Sequence, residues 1–334
     1  MEQTLIIYIL SIVIILMIIV IIILALKLKS WLNNNIKITS ESALQLGKML
    51  IPNCAKDSNN IKCITFNTIK TPPDMFPAKN TINIDSTKYA MQLVGLFLEY
   101  LNKTDPVVIK KEEGIKTPVG LKNPHIIFDS TKEKLNPLVL SFTTMDDTMM
   151  YFIFRGTQSL DDLMTDVSYN YYNIKVPSYD DNMIHIHKGF NDIYNKIKDK
   201  IFSSISPNVK KIVICGYSMG ASLGFIFALD ASLKYETAVY GMAAPRTGNI
   251  KFVKTLIERC RYSITLINLA DVVPTLHWTY SFNLIPPYKP VNFAHVTPIA
   301  IFNNVSTDIA SCHQPITYFN GLDMNPVLVP TQYY

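Results

Sequence analysis

The chain has 334 residues, 49% of them hydrophobic and 17% charged, which supplies enough apolar side chain for a substantial core and excludes a disordered polyelectrolyte. Its net charge of +5, from 31 Lys+Arg against 26 Asp+Glu, is spread along the sequence without a dense basic block, so no nucleic-acid partner is expected. The five cysteines, Cys54, Cys63, Cys215, Cys260 and Cys312, form no CxxC pair, which argues against a zinc site and against a disulfide-dense scaffold.

Residues 5–26 carry no charge and are flanked by Glu2 on one side and by Lys27 and Lys29 on the other. As a helix rising about 1.5 Å per residue, this run reaches about 33 Å, enough to cross a hydrocarbon core. The marks of a cleaved signal peptide are missing, so residues 1–29 are expected to form an uncleaved single-pass transmembrane anchor. The two lysines favour leaving the bulk of the chain on the cytoplasmic side. Against this, Asn102-Lys103-Thr104 and Asn304-Val305-Ser306 are glycosylation sequons that would matter only in a lumenal domain, and the topology stays open.

Residues 30–84 are rich in Asn, Lys, Thr and Pro and read as a juxtamembrane spacer. An N-cap signal at Asp85 and Ser86 then opens a helix that aligns Tyr89, Leu93, Leu96, Phe97 and Tyr100, and a globular domain is expected over residues 85–334. Apolar runs at 137–142 and 149–154, parted by the turn-like Met145-Asp146-Asp147, predict neighbouring strands. Further strands are expected at 211–215, 238–243 and 264–268, with helices between them at 190–202, 219–233 and 249–259. This alternation predicts an α/β fold with a mainly parallel central sheet covered by helices on both faces. Cys215, inside an apolar run, is expected to be a buried reduced thiol.

The strand ending near Cys215 leads into Gly216-Tyr217-Ser218-Met219-Gly220 and then into a helical run. This is a G-x-S-x-G pattern in a strand-turn-helix setting, the nucleophile elbow of α/β-hydrolases. Both glycines are needed because side chains there would collide with the strand and helix, and the turn presents the Ser218 hydroxyl at the C-terminal edge of the sheet. A serine hydroxyl needs a base to take its proton and an acid to orient that base.

The expected chain order is Ser, then Asp or Glu, then His. Asp271, just past the strand at 264–268, is the best acid candidate, with Asp308 as rival. His277 lies too close behind Asp271 to swing back independently. His313, on a loop before a helical run, is favoured as base over His295, whose surroundings alternate like a strand.

Four further motifs, Phe154-Arg155-Gly156-Thr157, His187-Lys188-Gly189-Phe190, Ala244-Pro245-Arg246-Thr247-Gly248-Asn249 and Asn268-Leu269-Ala270-Asp271-Val272-Val273-Pro274, occur in this order. Together with the elbow they make residues 138–322 resemble the class three lipases, the group that includes fungal triacylglycerol lipases. The resemblance implies Asp271 as triad acid and His313 as base. It also implies an oxyanion hole from Thr157 and the backbone N–H of Met219, and structural roles for His187 and Arg246. It places a lid at residues 158–166, where Leu163 stands in place of the fungal tryptophan, and Leu160, Leu163, Met164 and Val167 keep an apolar face.

The expected activity is hydrolysis of glycerolipid esters, with diacylglycerol, triacylglycerol and phospholipid all compatible and a soluble-ester or feruloyl-type esterase left open within the same family. No metal or organic cofactor is implied. The rival reading is a catalytically silent membrane or virion scaffold that retains the hydrolase fold.

Overall fold

The computed structural model describes residues 72–131, 134–156, 171–173, 184–275, 293–296, 298–306 and 309–329. The expected anchor at residues 5–26 lies outside them, and among the described residues no helix is long and apolar enough to cross a membrane.

The packed chain begins earlier than the expected boundary at residue 85. Met75 and Phe76 are buried against the sheet, Tyr240 donates its hydroxyl to the Met75 carbonyl at 3.0 Å, and Tyr262 donates to the Thr81 carbonyl at 3.0 Å. Residues 72–83 therefore form a strap. Its prolines suggested a solvated spacer, but its two large apolar side chains are what decide its placement, each worth about 1.5–3 kcal/mol when buried.

Asn83 caps helix α1 (Ile84–Lys103), accepting from the Ser86 amide at 2.9 Å, so the cap lies just ahead of the expected Asp85. Asp105 caps the short helix α2 (Pro106–Lys111). Three antiparallel-connected strands follow: β1 (Leu121–Thr131), β2 (Lys134–Thr144) and β3 (Met149–Phe154). The pair expected at 137–142 and 149–154 is β2 and β3. Strand β1 escaped the sequence reading because two register shifts, with Asn123 at φ 53°, break its period-two pattern.

The chain continues through β4 (Tyr171–Asn173), β5 (His185–His187), α3 (Lys188–Ser204), β6 (Lys211–Tyr217), α4 (Met219–Ala231) and β7 (Glu236–Met242). Then come β8 (Gly248–Asn249), α5 (Ile250–Arg259), β9 (Tyr262–Asn268), β10 (Phe293–Ala294) and β11 (Ile299–Phe302). The last elements are α6 (Ile309–Cys312), α7 (Pro315–Gly321) and β12 (Val327–Val329).

Eight strands make the main sheet in the order β1-β2-β3-β6-β7-β9-β11-β12. Its five central strands, β3 to β11, are parallel, and the antiparallel pairs lie at the two edges. A small second sheet runs β10-β8-β5-β4.

Alternation sends the two faces of each strand into separate cores. Phe152, Phe154, Ile212 and Ile214 meet α3, α4 and α5 on one side, whereas Tyr151, Ile153, Val213 and Cys215 meet α1 on the other. Helix α4 is buried almost all round, consistent with its apolar sequence. This architecture is that of an α/β-hydrolase, with the ends of β6 and β9 brought to the same edge of the sheet. Cys215 is buried and free, as expected.

Met75→Ala is expected to cost about 2–5 kcal/mol of stability by denaturant unfolding, the range for truncating a buried methionine. A solvated spacer would give a change within about 0.5 kcal/mol.

Candidate active site

Ser218 sits between β6 and α4 with φ 56° and ψ −129°, a left-handed backbone that L side chains rarely adopt. Its amide donates to the Met242 carbonyl at 2.8 Å, and its carbonyl accepts from the Ala221 amide at 3.0 Å. The flanking glycines are sterically required. A Cβ on Gly216 would stand 2.5 Å from the Ala221 Cα, and one on Gly220 would run into the Phe154 and Arg155 carbonyls. Only hydrogen fits where the elbow crosses the end of β3.

The structure brings the three residues of the expected triad together. His313 lies in the turn between α6 and α7, buried, with its Nε2 3.0 Å from the Ser218 Oγ. Its Nδ1 is 2.6 Å from the Asp271 Oδ2. Asp271 follows β9, and its other oxygen accepts from the Val273 amide at 2.9 Å. A carboxylate accepting at Nδ1–H fixes the tautomer that leaves Nε2 free to accept the serine proton.

His295, the alternative base, lies just past β10 instead. Burial first, and the Arg246 charge second, pull its pKa down to about 3, opposed by a hydrogen bond to the Pro274 carbonyl. It is a neutral core side chain. His277 and Asp308 lie outside the described residues.

Met219 opens α4, so its amide sits at the positive end of that helix beside Ser218. Thr157 and the expected lid at 158–166 lie outside the described residues. The approach to Thr157 is held by Arg155, whose buried guanidinium donates to the Gly156 carbonyl at 2.8 Å and also to the Pro137 carbonyl and Asn136 Oδ1. Burial lowers its pKa to about 10, so it keeps its charge at neutral pH.

Four residues around the site were not singled out by the sequence reading. Tyr318 donates its hydroxyl to the Asp271 Oδ2 at 2.6 Å, Tyr217 donates to the His313 carbonyl, and Asn268 donates to the Cys312 and Asn304 carbonyls at 3.1 and 2.9 Å. Arg155 is the fourth. Both tyrosines are held well above their ordinary pKa, by burial first and by the Asp271 charge second, so they stay protonated and able to donate. Arg155, Tyr217 and Asn268 stand inside motifs the sequence displays, but nothing in local pattern says that their polar ends point inward.

Comparison with known proteins bears on the same region. Residues 151–280 match the family model described as lipase (class 3). A secreted mono- and diacylglycerol lipase of Malassezia globosa is 31% identical over 99 residues, covering 26% of this chain and 32% of that protein. A chloroplastic phospholipase A1 of Arabidopsis thaliana is 28% identical over 130 residues, covering 29% and 25%. The matched stretches thus span about a third or less of these relatives. Among solved structures, a Rhizomucor miehei lipase in complex with its propeptide matches at 17% identity with a TM-score of 0.47, covering 71% of this chain and 77% of that one. The family match ends before His313, whose place in the site comes from the geometry alone.

His295 gives the site region a pH signature. Unfolded, it binds a proton as pH falls through about 6.5; folded, it resists protonation down to about 3. The unfolded state therefore gains protons first, and stability falls as pH drops from about 6.5 towards 3. Denaturant midpoints measured across that window should decline less steeply in His295→Gln than in the wild type.

Proposed function

Starting from the class 3 lipase match of residues 151–280, we propose that this protein is a serine lipase. In this reading it hydrolyses carboxylic ester bonds of glycerolipids through an acyl-enzyme on Ser218. The observation that carries the proposal is the continuous hydrogen-bonded path from Ser218 Oγ through His313 to Asp271.

The Ser218 Oγ attacks the ester carbonyl carbon as His313 Nε2 takes its proton. Asp271 stabilises the imidazolium that forms, and His313 then protonates the leaving alcohol. Water, activated by the same imidazole, releases the acyl group and restores the serine. The developing oxyanion is met by the Met219 amide and by Thr157; losing one such donor typically costs about 100- to 1,000-fold in rate. No step calls for a metal or an organic cofactor.

The substrate class rests on the acylglycerol and phospholipid activities named for the two curated relatives. A bilayer anchor at residues 5–26 fits it, because tethering raises the effective concentration of enzyme at a lipid surface. The anchor makes the protein single-pass. The flanking lysines favour a cytoplasmic catalytic domain.

Ser218→Ala and His313→Ala should each lower kcat on a short-chain nitrophenyl ester by about ten-thousand-fold or more, and the double variant hardly further, because the residues act as a unit. Fluorophosphonate labelling should vanish in Ser218→Ala and persist in His295→Ala. Folded wild-type protein that takes no label would instead support the scaffold reading. Lipid profiles from cells expressing active and Ser218→Ala protein should differ in a glycerolipid class, which identifies the substrate.

Topology has its own readout. Asn102 is exposed near the end of α1, whereas the Asn304 side chain donates to the Thr317 carbonyl at 3.2 Å. A cytoplasmic domain predicts no glycosidase-sensitive mobility shift. A shift that disappears in Asn102→Gln would place the domain in the lumen.

A further inference from the structure

We propose that Tyr217 is a positioning residue that holds the base to the nucleophile elbow through the main chain of His313; this rests on the serine-lipase reading above. Tyr217 is the last residue of β6 and is bonded directly to Ser218. Its buried hydroxyl donates to the carbonyl of His313, and its ring lies 5.3 Å from the imidazole, tilted by 34°. One residue thus fixes both partners of the proton transfer, one through the peptide bond and the other through a hydrogen bond.

The His313 carbonyl depends on this donor because of where it sits. It precedes Gln314, the cap of α7, and it is the Gln314 carbonyl that takes the first helical amides, from Thr317 at 3.0 Å and Tyr318 at 3.2 Å. The preceding carbonyl, that of Cys312, accepts from the Asn268 side chain at 3.1 Å. Two consecutive carbonyls of the base turn are therefore held by two strand ends: β9, which leads to the acid, and β6, which leads to the nucleophile.

Removing the Tyr217 hydroxyl would leave a buried acceptor unpaired and free the turn to relax towards other donors. The Ser218–His313 spacing of 3.0 Å would then lose one of its two clamps. Because the hydroxyl is engaged with main chain, the loss falls on proton transfer rather than on substrate binding.

The test compares full-length wild type, Tyr217→Phe, Tyr217→4-aminophenylalanine and Tyr262→Phe on a soluble nitrophenyl butyrate, with melting temperatures measured in parallel. Phenylalanine keeps the ring contacts and removes the donor, while the aminophenyl ring keeps both. Tyr262→Phe removes a hydroxyl of β9 that likewise donates to a main-chain carbonyl, that of Thr81 in the strap, remote from the base. Tyr217→Phe should lower kcat by about 10- to 100-fold, the scale of a small misplacement of reacting groups, with KM within about twofold. The aminophenylalanine form should regain most of that kcat. Tyr262→Phe should melt lower with kcat unchanged.

Folded Tyr217→Phe with kcat within about twofold of wild type would overturn the proposal. So would a loss of kcat that the aminophenyl donor does not restore. If Tyr217→Phe does not fold, the aminophenylalanine form alone decides, supporting the role at wild-type kcat and refuting it when folded but impaired. Wild-type protein with no turnover and no fluorophosphonate labelling is a separate result: it overturns the lipase reading itself, and the positioning role with it.

Discussion

The site depends on the left-handed backbone of Ser218. A non-glycine residue held there costs of order 1–3 kcal/mol, and it persists only where its surroundings leave no relaxed alternative. Here the alternatives are removed by crowding. Gly216 and Gly220 let β6, α4 and the end of β3 approach so closely that no added carbon fits, and the Ser218 amide is committed to the Met242 carbonyl. The parallel pairing of β6 with β3 and β7 locks the strand on both sides, so the strain is borne by the central sheet rather than by a loop.

A second layer of order surrounds the carboxylate. The Asp271 Oδ2 receives both the imidazole and the Tyr318 hydroxyl at 2.6 Å, and its Oδ1 receives a backbone amide. A buried carboxylate so supplied with donors is held in one orientation. Tyr318 also accepts from the Asn268 amide, so strand β9, the acid and helix α7 are joined through a single phenol. The imidazole between acid and serine has its direction set from behind, and the turn that carries it is gripped at the Cys312 carbonyl by Asn268 and at the His313 carbonyl by Tyr217.

The strap at residues 72–83 extends the same principle to the far side of the sheet. Tyrosines from β7 and β9 reach out to carbonyls in the strap, while Met75 and Phe76 close the core that α1 also covers. Buried phenols recur in this protein as long side chains that span a core with an apolar ring and end on a main-chain acceptor or a carboxylate.

Much of this was written in local pattern. The G-x-S-x-G turn and the apolar runs of β3, β6, β7 and β9 follow from spacing and from the sterics of glycine, which act over a few residues, while Asp271 and His313 were picked out by their order after Ser218 and by the resemblance to class three lipases. The distances that join His313 to Ser218 and Asp271, and the grip of Tyr217, Tyr318 and Asn268 around them, were decided only by tertiary structure. So was the recruitment of Met75 and Phe76 into the core. Each of these pairs side chains tens of residues or more from their partners, and a polar atom is catalytic support or mere surface according to what the fold sets against it. Periodicity reports which face of an element is apolar; it carries no record of which distant carbonyl or carboxylate will lie within 3 Å of a given hydroxyl.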